Sequence, residues 1–191
     1  STRKESSAAS DVYKRQGIQI TDYEDNDIEL VKLLEMIDEV PGVERVRLGS
    51  IQPKLLKDEI VERLAKLKHL QHQFHLSLQS GSNKVLKLMN RKYTREDYIE
   101  NTSKIYKAMP DSAITTDIIV GFPQEDDEDF KESIDIVKKV NFLKVHVFRY
   151  SRRKGTKAYD MKGQIAESIK KDRAEILEEY QEASRHIFIN K

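Results

Sequence analysis

The feature that most constrains the fold of this chain is a regular alternation of helix and strand patterns. Apolar residues recur at three- and four-residue steps in several segments, as at Phe130, Ile134 and Val137, which is the spacing of one helix face. Between these segments lie short β-branched runs, and 113–120 is the most apolar of them. The alternation predicts an α/β fold with parallel strands and right-handed crossovers, either doubly wound or an open (β/α) barrel.

The same patterns predict the order of the elements. Strands are expected at 43–48, 74–78, 113–120 and 142–150. Helices are expected from Asp27 to the Pro41-Gly42 stop, at 60–67, 85–89, 98–109 and 130–137, and from about 165 to 187. Because no fixed repeat or linker divides this series, one domain is expected.

Composition excludes several classes of protein. The chain has no cysteine, so it can form no disulfide and offers no thiolate to a metal or to an iron–sulfur cluster. The 34 basic and 33 acidic residues nearly cancel, so the net charge gives no overall sign of nucleic-acid binding. No run of about 18 apolar residues predicts a membrane span. The start lacks an apolar signal core, which favours a cytoplasmic protein with no membrane partner.

The first sixteen residues are set apart from the rest. Residues 1–16 are rich in serine, alanine and charge, which is typical of a disordered tail. The segment 11–16 also resembles the translated end of a transposon used in sequencing libraries, so the tail is interpreted as disordered or artefactual. The domain organisation expected is therefore a tail at 1–16 and an incomplete core domain at 17–191.

Four unusual segments each follow a predicted strand. They are GSIQP at 49–53, QSGS at 79–82, GFPQE at 121–125 and SRRKGT at 151–156. In a parallel (β/α) sheet the carboxyl ends of the strands share one edge, where ligands bind. The four segments together predict one site, although a single glycine or proline among them is equally explained by turn geometry.

Two polar residues in or beside apolar strands need partners. Gln79 ends the second predicted strand, and its amide suits a hydrogen bond to a ligand. Asp117 lies inside the most apolar strand, where a carboxylate is either a structural anchor or part of the site.

Other charged motifs have a simpler explanation. The acidic run 125–129 opens a predicted helix, where carboxylates cap free N–H groups, so a cation site is not expected there. His69, His72 and His75 have metal-like spacing, but helix geometry does not unite them, and no metal site is predicted. No Ser/His/Asp order and no phosphate-binding glycine loop supports a hydrolase or nucleotidase.

Basic residues cluster at two places in the chain. One group follows the last predicted strand, and the other lies beside Tyr93, which could stack on a base. The residues expected to contact RNA phosphates are Arg91, Lys92, Arg149, Arg152, Arg153 and Lys154. The alternative is that both groups are solvated loops.

Three segments carry a resemblance to a known family. HLSLQSGSNKVLKLMNRKYTREDY (75–98), TDIIVGFPQE (116–125) and YSRRKGTKA (150–158) closely resemble the radical-SAM tRNA methylthiotransferases. SRRKGT together with RVRLGSIQP (45–53) is most similar to the subfamily that acts on threonylcarbamoyladenosine, with the isopentenyladenosine and ribosomal-protein branches as alternatives.

The resemblance implies a fold and cofactors. The fold would be a partial (β/α) barrel of radical-SAM type, with 17–23 as what remains of its second strand and the following loop, and with the first strand missing from this chain. The family's CxxxCxxC loop, whose thiolates hold a four-iron four-sulfur cluster that binds S-adenosyl-L-methionine, would be absent with it. A chain without these ligands is expected to be inactive alone, with no catalytic residue of its own and no obligate protein partner.

The resemblance also implies roles for residues. The positions that would contact or wall the cofactor are Ser50, Gln79, Ser80, Gly121, Phe122, Pro123 and Glu125. Gln124 and Glu24 stand where the family usually has glycine, and Ser82 where this subfamily often has cysteine. The function implied is methylthio transfer to C2 of the modified adenosine next to the tRNA anticodon. The alternative from a different class is an RNA-binding (β/α) module without catalysis.

Overall fold

A parallel four-stranded sheet forms the centre of the computed structural model, which describes residues 24–25 and 28–190. Its strands are β3 (Ser50–Ile51), β4 (Gln73–Leu76), β5 (Ala113–Val120) and β6 (Lys144–Arg149), in the order β3-β4-β5-β6. All three neighbouring pairs are parallel, and each strand lies beside the next one in the chain. This singly wound order is that of a partial (β/α) barrel, so the α/β prediction is confirmed.

Helices connect the strands and cover one face of the sheet. They are α1 (Leu30–Asp38), α2 (Asp58–Leu64), α3 (Asn83–Leu88), α4 (Arg95–Ala108), α5 (Asp127–Val140) and α6 (Glu167–Ile189). A short antiparallel pair, β1 (Glu24–Asp25) and β2 (Ile28–Glu29), precedes α1. No helix in the described ranges combines the length and the apolar character needed to cross a bilayer.

The two faces of the sheet differ in what covers them. On one face Phe74, Leu76, Ile114 and Ile118 are fully buried against the helices and form the centre of the core. The alternating residues of β5, such as Asp117 and those at 113 and 119, are only partly buried. Because successive side chains of a strand point to opposite faces, β5 has a helix-covered face and an open face. That open face holds the polar residues of the strands.

The predicted strand at 113–120 matches β5 residue for residue, but the predicted strand at 43–48 is wrong. Only Val46 pairs there, in an isolated parallel bridge to Leu70. Glu44, Arg45 and Arg47 around it are exposed, so the segment has too little apolar surface to extend the ladder. The strand between α1 and α2 begins later, at Ser50, and is β3. The tail at 1–16 and the second-strand remnant at 17–23 lie outside the described residues.

The acidic run at the start of α5 acts as a helix cap, as predicted. The Asp126 side chain accepts a hydrogen bond from the backbone N–H of Asp129, and the Asp129 side chain accepts one from the N–H of Asp126. This reciprocal pair satisfies two N–H groups that the helix leaves free. Lys84 binds both carboxylates, at 2.6 and 2.7 Å. Two carboxylates of the run therefore cap the helix and pair with Lys84.

Candidate functional site at the carboxyl ends of the strands

A bulge ends β4 and sets the position of Gln79. His75 pairs with Thr115 and Gln79 with Ile118, so β4 has one residue more than β5 over this stretch. The hydroxyl of Thr116 fills the gap, because it donates to the carbonyl of Leu76 and accepts from the N–H of Leu78. Gln79 itself has a φ of 74°. Its partly exposed side chain makes no hydrogen bond within the described residues, so the amide is free for a ligand.

The turn after Gln79 packs inward on α5. Ser80 and Ser82 are buried, and the Ser82 hydroxyl donates to Asp129 at 2.6 Å. Gly81 donates its N–H to the Ser133 hydroxyl, and a Cβ on Gly81 would lie 2.5 Å from the Cα of Ser133. Glycine is needed here for close approach of the turn to the helix. Ser80 therefore lies beneath the surface of the strand-end edge.

The segment Gly121–Glu125, here called the β5 turn, is fixed by a buried ion pair. Arg173 of α6 donates to Glu125 Oε1 at 2.8 Å and to Asp127 at 2.7 Å, and the backbone N–H of Gly121 also donates to Glu125 Oε1, at 2.9 Å. Arg173 and Glu125 expose 7% and 2% of their side chains. Burial raises the pKa of the Glu125 carboxyl, against the lowering effects of Gly121 and Arg173. The turn is thus held by a carboxylate out of contact with solvent.

An aromatic wall joins the β5 turn to the end of β6. Phe122 packs edge-on against Tyr150 with ring centroids 5.2 Å apart, and Pro123 is buried beside it. The Tyr150 hydroxyl is buried and has no hydrogen-bond partner within the described residues. This pair gives the strand-end edge an apolar wall with one free hydroxyl.

The segment Ser151–Thr156, here called the β6 loop, is exposed throughout. Arg152 stacks on the ring of Tyr159 at 4.2 Å and donates to its carbonyl at 2.7 Å. Just before the loop, Arg149 pairs with Glu167 at 3.0 Å. The side chains of Arg153 and Lys154 make no ion pair within the described residues, so they are the two cations of the loop that are open to a partner.

The second basic group lies at the other edge of the sheet. Lys92 lines a groove of about 260 Å³ together with Tyr93 and residues that follow β3, among them Pro53 and Lys57. Tyr93 donates its hydroxyl to the carbonyls of Ser77 and Leu78, which fixes this loop to the β4 bulge. Since β3 and β6 are the edge strands, the residues that follow β3 and the β6 loop lie toward opposite edges of the sheet. The structure therefore places them on either side of Gln79, not in one patch.

Ser50 lies lower on the sheet than the other predicted site residues. It is exposed and pairs with His75, four residues before Gln79 in the neighbouring strand. That offset corresponds to at most about 13 Å of extended chain. Ser50 and Gln79 thus lie on adjacent strands, but Ser50 lies farther from the carboxyl end of β4 than Gln79 does.

A radical SAM superfamily model matches residues 7–137, more than half of the chain. The chain belongs to the radical SAM superfamily.

Curated relatives within this superfamily are tRNA-modifying enzymes of two kinds. A threonylcarbamoyladenosine tRNA methylthiotransferase of Thermotoga maritima is 47% identical over 78% of this chain, and one of Chlamydia pneumoniae is 42% identical over 85%. A tRNA-2-methylthio-N(6)-dimethylallyladenosine synthase of Thermoanaerobacter is 45% identical over 82%. The radical-SAM methylthiotransferase resemblance is confirmed, and both kinds align about equally well. The chain spans 33 to 39% of the length of these relatives.

Solved structures agree on the fold. Coproporphyrinogen III oxidase of Escherichia coli, a radical SAM enzyme, superposes with a TM-score of 0.62 over 81% of this chain and 36% of its own. An archaeal Elp3 from Methanocaldococcus infernus gives 0.53 over 85% and 38%. Both are 17% identical, so they support the radical SAM fold alone.

The residues present fit the two cofactors of the superfamily differently. Radical SAM proteins use S-adenosylmethionine with a four-iron four-sulfur cluster. This chain has no cysteine, so its residues do not fit the cluster. The free amide of Gln79 and the wall of Phe122 do fit a polar, partly aromatic ligand such as S-adenosylmethionine, whereas Glu125 Oε1 is already bound by Gly121 and Arg173.

The structure separates the three closely spaced histidines of this radical SAM chain. His69 contacts Asp38 at 3.1 Å, His72 contacts Asp111 at 2.7 Å, and His75 contacts Asp117 at 3.2 Å. Each of the three histidines therefore contacts a different aspartate. A different group was missed, since His146 of β6 lies beside His75 and Asp117. The alternation of β4 and β6 could have placed both histidines on one face, but their register was needed to bring them together.

Proposed function

We propose that this chain is the part of a radical SAM tRNA methylthiotransferase that positions S-adenosylmethionine and the substrate nucleotide. The observation that carries the proposal is the free amide of Gln79 at the strand-end edge, between two basic groups that flank it. The named activities of the curated relatives give the reaction class, methylthio transfer to a modified adenosine in tRNA.

In this proposal the predicted site residues have two kinds of role. Gln79 makes the polar contact to the cofactor and Ser50 reaches toward its methionyl part, because both side chains are open to solvent. Ser80 and four residues of the β5 turn hold the wall behind it, since they are buried: Gly121, Phe122, Pro123 and Glu125. S-adenosylmethionine, when bound at a cluster, supplies the radical chemistry. The residues of this chain bind and orient the cofactor, and they exclude water from it.

The RNA would lie across the strand-end edge. Arg153 and Lys154 contact phosphates on the β6 side, with Arg149 and Arg152 held beside them by Glu167 and Tyr159. On the β3 side Lys92, which lines the groove with Tyr93, contacts the other arm of the anticodon loop. Arg91 precedes Lys92 in the chain and is partly exposed, and it adds a second cation there. Such an arrangement would place the modified nucleotide near Gln79.

The substrate branch we favour is threonylcarbamoyladenosine, because RVRLGSIQP and SRRKGT are most similar to that subfamily. Anticodon stem-loops carrying threonylcarbamoyladenosine, isopentenyladenosine or unmodified adenosine separate the possibilities in one binding series. Tighter binding of the first supports this branch, and equal binding of all three contradicts it.

The test of the tRNA interface is the salt dependence of binding. Replacing Arg153 and Lys154 together by alanine should weaken tRNA affinity and reduce the slope of log affinity against log salt by about 1.5, since each phosphate contact contributes roughly 0.7 to 0.9. The matched control is Lys66→Ala with Lys68→Ala, which removes two exposed cations that lie before β4, at the opposite end of the sheet. An equal loss in both variants would contradict a specific interface.

The second candidate function is RNA binding without catalysis. The observation that favours it is the absence of cysteine alongside free cations on an exposed loop. Calorimetry of the chain with S-adenosylmethionine distinguishes the two. Binding that Gln79→Ala weakens supports the cofactor role, whereas tRNA binding with no cofactor binding supports the RNA-binding module.

A further inference from the structure

One histidine–aspartate pair in this chain differs from the others. All five histidines lie within the described residues, and three of them contact an aspartate. Among the described residues only the pair His75–Asp117 has a second histidine beside it. Ligand atoms of His75, Asp117 and His146 all lie within 4.8 Å of one another.

The sheet itself brings these three residues together. Asp117 of β5 pairs in register with His146 of β6, and His75 of β4 pairs with Thr115, two residues before Asp117. Residues two apart on a strand share a face, so all three side chains lie on the open face of the sheet. Each comes from a different one of three adjacent parallel strands. The cluster is therefore held on a rigid support.

The distances suit direct coordination of a metal ion. His75 Nε2 lies 3.2 Å from Asp117 Oδ2, close to the separation of about 3.3 Å expected between two ligands of a tetrahedral ion with bonds of about 2.0 Å. The His75 and His146 rings have centroids 6.1 Å apart. His146 is exposed, so its ring can turn to complete the set without disturbing the core.

The surroundings of His75 and Asp117 also suit a metal. The other ring nitrogen of His75, Nδ1, lies 3.0 Å from the hydroxyl of Thr115, a contact that orients the ring with Nε2 toward Asp117. Within the described residues no lysine or arginine is at salt-bridge distance from Asp117. The carboxylate thus has no fixed cation to neutralise it.

We propose that His75, Asp117 and His146 form a binding site for a divalent transition-metal ion of the zinc class. Two imidazoles and one carboxylate are a ligand set that such ions prefer. Three protein ligands leave one coordination position open, on the open face of the sheet, for water or another donor. The site needs no cysteine and does not depend on the function proposed above.

The experiment is titration of the 191-residue chain with Co²⁺ as a spectroscopic probe and with Zn²⁺ in competition. We expect one ion per chain with the visible absorption of four-coordinate cobalt. His146→Ala should remove this absorption and weaken Zn²⁺ affinity by about 100-fold or more, since changes to supporting residues alone cost 10- to 100-fold. Asp117→Asn should have a similar effect with little change of shape.

The matched control is His72→Ala. It breaks another histidine–aspartate contact, His72–Asp111, but one with no second histidine, so Zn²⁺ binding should be unchanged. Thr115→Val, which removes the hydroxyl beside His75, should weaken binding by about tenfold. Circular dichroism of each variant checks the fold. The proposal is overturned if wild type and His146→Ala bind Zn²⁺ equally, or if His72→Ala loses as much affinity as His146→Ala.

Discussion

The β5 turn and the β6 loop leave adjacent strands at the same edge of the sheet, yet they are built in opposite ways. The ion pair of the β5 turn, Arg173–Glu125, exposes 7% and 2% of its side chains, whereas the pair that precedes the β6 loop, Arg149–Glu167, exposes 50% and 64%. The buried pair fixes the backbone of the β5 turn. The exposed pair does not involve Arg153 and Lys154, which stay free of ion pairs with the described residues. Two equally recognisable motifs are therefore built differently: one is held by a buried ion pair and the other is exposed.

The largest effect on stability is expected from removing the buried ion pair, and it tests the contrast directly. Arg173→Met leaves Glu125 buried without its cation and should lower the free energy of unfolding by about 3 to 5 kcal/mol. The matched control Arg149→Met removes an exposed pair and should cost at most about 1 kcal/mol. Urea denaturation measures both, and similar losses would contradict the contrast.

The same variant has a pH signature. Burial raises the pKa of Glu125, so the folded state holds this proton more tightly than the unfolded state does. Its contribution to stability therefore becomes less favourable as pH rises through the folded pKa, and losing Arg173 raises that pKa further. We expect the Arg173→Met deficit to be larger at neutral than at mildly acidic pH. A deficit that grows on acidification would be inconsistent with this cause.

A second comparison uses two glycines with left-handed backbone. Gly121 has a φ of 72° and a Cβ there would lie 2.3 Å from Cγ of Lys170, while Gly155 has a φ of 82° with open space around it. Alanine should cost about 1 to 2 kcal/mol at Gly155 from backbone strain alone. At Gly121 the contact with Lys170 should add about 1 to 3 kcal/mol. Thermal unfolding of the two variants should separate them, and equal melting temperatures would count against the clash.

A smaller effect is expected where the β5 turn meets α5. Lys84 and the capping contact with Asp129 lower the pKa of Asp126 from 3.8 to about 2. A lowered pKa stabilises the fold above the ordinary value, and this contribution is lost as pH falls through about 2. Asp126→Asn should therefore flatten the fall in stability below pH 3.8. Asp160→Asn, an exposed residue beyond the β6 loop, is the control and should leave the acid profile unchanged.

The smallest effect on stability is expected in the β6 loop. Replacing Arg153 and Lys154 by alanine should change the free energy of unfolding by no more than about 0.5 kcal/mol, because both side chains are exposed and form no ion pair among the described residues. The same variant is expected to lose tRNA affinity. A large loss of stability would show that the loop supports the fold after all.

Local patterns explain why much of the fold was predictable. The run 113–120 is β-branched and apolar over its whole length, and it became β5 without change. The acidic run 125–129 capped α5 for the reason that its charge suggested. The segment 43–48 failed because its charged residues stay in solvent and leave Val46 alone to pair.

The sequence alone determined the α/β order and the strand-end motifs, because these depend on residue patterns within short segments, and it indicated the family by the resemblance of three segments to known methylthiotransferases. Tertiary structure decided which motif residues are free and which are bound. Glu125 is held by Arg173 from 48 residues away, and His146 reaches His75 and Asp117 only through the register of three strands. No local pattern encodes such pairings, because they depend on how distant segments pack and which face of the sheet each residue shares.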